Sequence, residues 1–259
     1  MGEGAALSLR ERALVLAALG AVALLAWLYL LHHGAAMPSG DIMAMPSGEA
    51  MVMGIEHDSG DFVLLALMWI VMMLAMMLPS VAPTVLVHAA VSRRVAPSQR
   101  AARNVAFVGG YVLAWSAFAL GAAGVQVALG HMALLSSEMR SSSPTFAAAL
   151  LAAAGVWQFT PMKDVCLSKC RMPLQFVAEH WRDGVLGALR IGLAHGLYCI
   201  GCCGALMALL FVGGVMNLLW VALIAGFVLI EKTTFPGTRI GRWLSGAGLL
   251  VAAAILLLL

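Results

Sequence analysis

Seven apolar runs, most of them long enough to cross a lipid bilayer, divide this chain and restrict its fold more than any other feature. They cover residues 13–31, 62–91, 104–129, 146–160, 185–212, 218–230 and 243–259. A helical span of the hydrocarbon core takes about 20 residues, and nothing in that core except the chain itself can satisfy backbone N–H and C=O groups. Of the 259 residues, 63% are hydrophobic and 10% are charged. A soluble domain carries roughly 45–50% and 25%. Soluble enzymes, disordered tails and nucleic-acid binders are excluded together. The expected fold is all-α, a polytopic membrane helix bundle of about seven transmembrane helices.

Orientation follows from the arginines and lysines, which accumulate on the cytoplasmic side of short loops. Arg10 and Arg12 precede the first run, and Arg93, Arg94, Arg100 and Arg103 separate the second from the third. Lys163, Lys169, Arg171, Arg182 and Arg190 follow the fourth, and Lys232, Arg239 and Arg242 follow the sixth. Fourteen of the 15 basic residues thus fall on one side, with Arg140 alone on the other. The N-terminus is expected inside and the C-terminus outside. The first run has the flanks of a secretory signal, but its 19 apolar residues exceed the usual h-region of about 7–15. Residues 1–31 read as an N-terminal anchor helix, 32–61 as an extracytoplasmic loop and 62–259 as a six-helix core. Arg190 lies just inside the fifth run, and the expected partner for its charge is Glu231 at the end of the sixth.

The outside loop holds Met37, Met43, Met45, Met51 and Met53 with His32, His33 and His57, five acidic residues and no lysine or arginine. It repeats Met-Pro-Ser-Gly with an acidic residue after it, at 37–41 and 45–49. That Pro/Gly density argues against a regular helix. Thioether sulfur is soft and neutral, and it does not form disulfides. In an oxidising compartment it holds Cu(I) or Ag(I) where a thiol is lost. The loop is either a soft-metal capture segment or a low-complexity linker. The second run continues the theme with Met72, Met73, Met76 and Met77 above Pro79 and Pro83. At about 100° per residue Met73, Met77, Thr84 and His88 form one stripe, though methionine is equally an ordinary core filler.

All five cysteines lie after the fourth run begins. Cys166 and Cys170, at i, i+4 spacing among Lys163, Lys169 and Arg171, are expected on the cytoplasmic side. Without a second pair in a soluble region they do not form a zinc finger. The fifth run carries His195, Cys199, Cys202 and Cys203, which helical geometry places on one face. Gly192, Gly196, Gly201 and Gly204 in the same stretch indicate close helix contact. Depth arithmetic from the ends of the second and fifth runs puts Met68–Met77 and His195–Cys203 at overlapping levels in the outer half of the bilayer, so one soft-metal site is expected between them.

These motifs resemble a family of small polytopic bacterial membrane proteins described as metal-binding and associated with copper delivery to exported tyrosinase-like copper enzymes. The resemblance lies in the Trp69–Ser80 methionine stretch, the segment from Trp157-Gln-Phe-Thr-Pro161-Met-Lys163 to Pro173, the His195–Met207 cluster and Glu231-Lys232. Gly204-Ala205 stand after the double cysteine where the family pattern has a bulky residue. The resemblance implies copper handling as a chaperone or assembly factor, with a copper-dependent enzyme or another membrane subunit as partner beside the lipid. No phosphate-binding GxxxxGK[ST] loop is present to drive a pump. The leading expectation is a Cu(I) chaperone, assembly factor or passive permease rather than an enzyme. The alternatives are a membrane thiol oxidoreductase using all five cysteines, or a structural subunit of a larger complex. The methionines separate them, because thiol exchange needs none.

Overall fold

The computed structural model describes residues 7–36, 59–95, 97–136, 139–233 and 240–258, so Met37, Met43, Met45, Met51, Met53 and His57 lie outside the described residues. The first helix, α1 (Leu9–Ala36), begins in a reciprocal capping box. Ser8 donates its backbone N–H to Glu11 Oε2 (3.0 Å), and its Oγ accepts from Glu11 N (3.3 Å). The helix runs past the expected boundary at Leu31, so His32 and His33 ride on its last turn instead of opening a loop. In α2 (Ser59–Val95) both prolines sit inside the helix. Pro79 has no N–H to offer the carbonyl four residues back. The Trp27 indole N–H of α1 takes that place, donating to Ala75 O at 3.2 Å.

A 3-10 turn (Pro97–Gln99) leads into α3 (Arg100–His131). Then α4 (Pro144–Phe159) meets α5 (Pro161–Arg171) at a 69° bend. Thr160 is extended there, as a residue before proline must be, and its Oγ1 caps α5 by accepting from Lys163 N at 3.3 Å. The remaining helices are α6 (Pro173–His180), α7 (Gly184–Met207), α8 (Leu210–Gly213), α9 (Leu218–Thr233) and α10 (Ile240–Leu258).

Register fixes the directions. Met77 meets Tyr111 and His88 meets Asn104, so α2 and α3 are antiparallel. Extra Cβ atoms on Gly192 and Gly196 would strike Phe107 and Ala114, so α3 and α7 run parallel. Trp220 donates to Leu209 O and Lys232 reaches Cys199, which makes α9 antiparallel to α7. Gly155 faces Leu250 and Arg242 reaches Thr160, so α4 and α10 are antiparallel. These four pairs have the relative directions that an up-and-down order of the runs requires.

Their spanning is not uniformly kept. Five helices among the described residues are long and apolar enough to cross a membrane, with the bent α4–α5 pair a sixth candidate. Both α4 and α9 have 16 residues, about 24 Å of helix against a core of roughly 30 Å. The fourth run stops at the Thr160-Pro161 bend and the sixth at Glu231-Lys232. Lys163 and Lys232, counted as loop charges by their sequence position, are buried, as are Arg103 and Arg242.

Other basic residues do gather at one end. Glu11 binds Arg93 and Arg100, tying the start of α1 to the α2–α3 turn, and Arg103 reaches Asp183 at the start of α7 (3.4 Å). Outward faces of α1 and α10 are apolar, with Leu14, Leu24, Leu25, Leu28, Leu244 and Val251 all exposed. Contiguous apolar surface of this kind is rare on soluble monomers and compatible with membrane insertion.

Candidate metal centre

The expected face of α7 is real: His195, Cys199, Cys202 and Cys203 are all at most 2% exposed. Gly192 lets it approach α3, since a Cβ there would collide with the Phe107 carbonyl. The Cys202 and Cys203 thiols donate back to Cys199 O at 3.1 and 2.9 Å, which holds both sulfurs on the inner side of the helix.

Four further elements converge on these thiols. From α2, Met77 Sδ lies 3.9 Å from Cys203 Sγ, and Thr84 Oγ1 lies 3.4 Å from His195 Nε2, so the 77–84 stripe does face α7. Met72, Met73 and Met76 are buried on the same helix toward its N-terminal end. From α5, Cys170 Sγ comes within 3.9 Å of Cys202 Sγ. Cys166 is half-buried, its sulfur against Gly201, where a Cβ would stand 2.6 Å from it. From α9, Lys232 Nζ donates to Cys199 Sγ at 2.9 Å and Ser80 Oγ at 3.1 Å. Tyr111 of α3 completes the ring, with Oη 3.1 Å from Cys199 Sγ and donating to Met77 O at 3.2 Å.

α5 folds back from the 69° bend and lays Cys166 and Cys170 against α7, so they join the cluster that the sequence reading kept apart from them. The thiols sit level with Lys232 near the end of α9. One expectation is corrected: Glu231 does not pair with Arg190. Its carboxylate binds Lys163 Nζ at 2.9 Å, both groups being buried, and its carbonyl accepts from Arg171. Arg190 instead lines a surface cavity.

Tyr111, Lys163 and Lys232 had no place among the expected ligands. Lys163 and Lys232 stood at the ends of apolar runs and within the motifs of the family resemblance, with no ligand role attached. No group of three or more His, Cys, Asp or Glu side chains among the described residues stands in metal-holding geometry. The sulfurs approach in pairs, Cys170 with Cys202 and Cys203 with Met77.

Fold and site together define an all-helical protein that buries thiols and thioethers between helices of membrane-crossing length. The chain belongs to the PpoB2 copper chaperone family, whose pattern matches residues 66–256 and so omits α1 and the methionine-rich tract. No curated protein and no solved structure matches it.

Proposed function

We propose that the chain is a membrane-embedded Cu(I) chaperone that carries one ion on two to four of the sulfurs of Cys170, Cys199, Cys202, Cys203 and Met77 and hands it to a copper enzyme. One observation carries the reading: sulfurs from α2, α5 and α7 meet in a buried site. At a metal–sulfur distance of about 2.3 Å, two sulfurs sharing an ion stand about 4.0 Å apart in trigonal and about 4.6 Å apart in linear coordination. Both sulfur pairs, at 3.9 Å, need only tenths of an ångström to receive one. Cu(I) accepts two to four soft ligands without strict geometry. Lys232 supplies countercharge for the thiolate that ligation requires.

Thiol exchange alone gives Met77 nothing to do, which favours metal carriage over an oxidoreductase. In this reading the basic end is cytoplasmic, with the N-terminus inside and the C-terminus outside. The methionine-rich segment captures metal outside, with His32, His33 and His57, and Met72, Met73 and Met76 lead inward. The test is copper content of detergent-purified protein expressed with copper supplied. Wild type should hold about one copper, lost when Cys199, Cys202 and Cys203 become serine. Copper that survives the triple substitution refutes the site.

A further inference from the structure

A cavity of about 260 Å³ is lined by His180, Arg182, Arg190, Ile191 and Ala194, around the start of α7. Arg182 and Arg190 have no acidic partner among the described residues, since Lys163 holds Glu231 and Arg103 holds Asp183. Arg190 lies in the first two turns of α7 and Arg182 in the connection before it, and both are exposed. His180 donates from Nδ1 to Phe176 O at 3.0 Å, because a carbonyl only accepts. Phe176, fully buried, stacks on His180 at 4.5 Å and leans on His195 at 4.9 Å. His195 Nδ1 is buried without a partner. The aromatic stack thus joins the cavity to the thiol cluster.

Bare Cu(I) is a cation, and two guanidiniums at the mouth repel it. We infer that this cavity is a second entry to the site, at the basic end, and receives Cu(I) as a small anionic thiolate complex, whose carboxylates Arg182 and Arg190 hold while the ion passes to the imidazole and thiol donors behind Phe176. The inference rests on the copper-carrying reading above. The exchange is redox-neutral: the carrier's Cu–S bond breaks as a Cu–S bond to the protein forms, and the protein thiol's proton leaves on the carrier's sulfur.

The test compares loading of the full-length protein in nanodiscs from Cu(I)–glutathione, an anionic complex, and from the cationic Cu(I)–acetonitrile complex. Arg182→Gln with Arg190→Gln removes two modest charge interactions with the carrier. Loading from the glutathione complex should slow about tenfold, while loading from acetonitrile and the final copper content stay unchanged. Copper-free S-methylglutathione should bind wild type and not the double variant. An equal change with both donors that disappears in nanodiscs lacking anionic lipid assigns the arginines to lipid phosphates and overturns the inference. Equal loading of variant and wild type from glutathione also overturns it while leaving the copper-carrying reading intact. Wild type that binds S-methylglutathione but no copper sinks that reading instead.

Discussion

Lys232 shows what a single side chain contributes to a soft-metal site. Its ammonium hydrogen-bonds Cys199 Sγ at 2.9 Å inside the protein, where an unpaired charge is costly. Lys232→Gln removes the charge without adding a sulfur ligand, so Cu(I) affinity should fall tenfold or more in competition with a chromogenic Cu(I) chelator. Lys232→Arg should recover part of it. An unchanged affinity removes Lys232 from the site. The Lys163–Glu231 pair is 0% and 4% exposed at its side chains. Glu231→Gln strands the lysine and should cost about 3–5 kcal/mol in denaturant unfolding, much of it regained on adding Lys163→Met. A loss under about 1 kcal/mol would mean the pair is solvated. Neither interaction was legible in the sequence, because a charge at the end of an apolar run reads equally as a loop residue.

At the scale of elements, the approach of α3 and α7 fixes the site. Extra atoms at Gly192 meet backbone, which cannot rotate away, whereas Gly121 on α3 has open space around its missing Cβ. Gly192→Leu should therefore destabilise by more than the roughly 1–3 kcal/mol typical of overpacking, while Gly121→Ala should be neutral or stabilising by up to about 1 kcal/mol. Unfolding midpoints in detergent separate the two, and equal effects would deny the close contact. The glycines of the fifth run announced such packing but not its partner, which turned out to be α3 for Gly192 and Gly196 and Cys166 for Gly201. The short α9 brings Lys232 to the thiols, and the bend after α4 brings Lys163 to Glu231, an outcome of where each helix stops.

For the whole molecule, the proposed orientation makes the α2–α3 turn cytoplasmic and the α3–α4 connection external. In variants lacking the native cysteines, an impermeant maleimide should label Ser142→Cys in intact cells and Ser98→Cys only after lysis. The reverse pattern inverts the assignment. Deleting residues 37–53 should lower copper content at limiting copper while leaving it normal at excess. Equal content under limitation would make that tract a linker.

The sequence by itself determined that the chain is all-helical, the order of its apolar segments, the inward face of His195, Cys199, Cys202 and Cys203, and the copper-chaperone family. Each rests on local information, such as hydropathy over a span of bilayer length or the 100° step of a helix, that needs no knowledge of neighbours. Tertiary structure decided that α5 folds back to add Cys170, that Lys232 faces Cys199, that Glu231 serves Lys163, and that Arg190 is left facing a cavity. Those outcomes depend on where α4 and α9 end relative to α7. That depends on a bend at Pro161 and on the competition of buried charges for partners far apart in sequence, about which local periodicity carries no information.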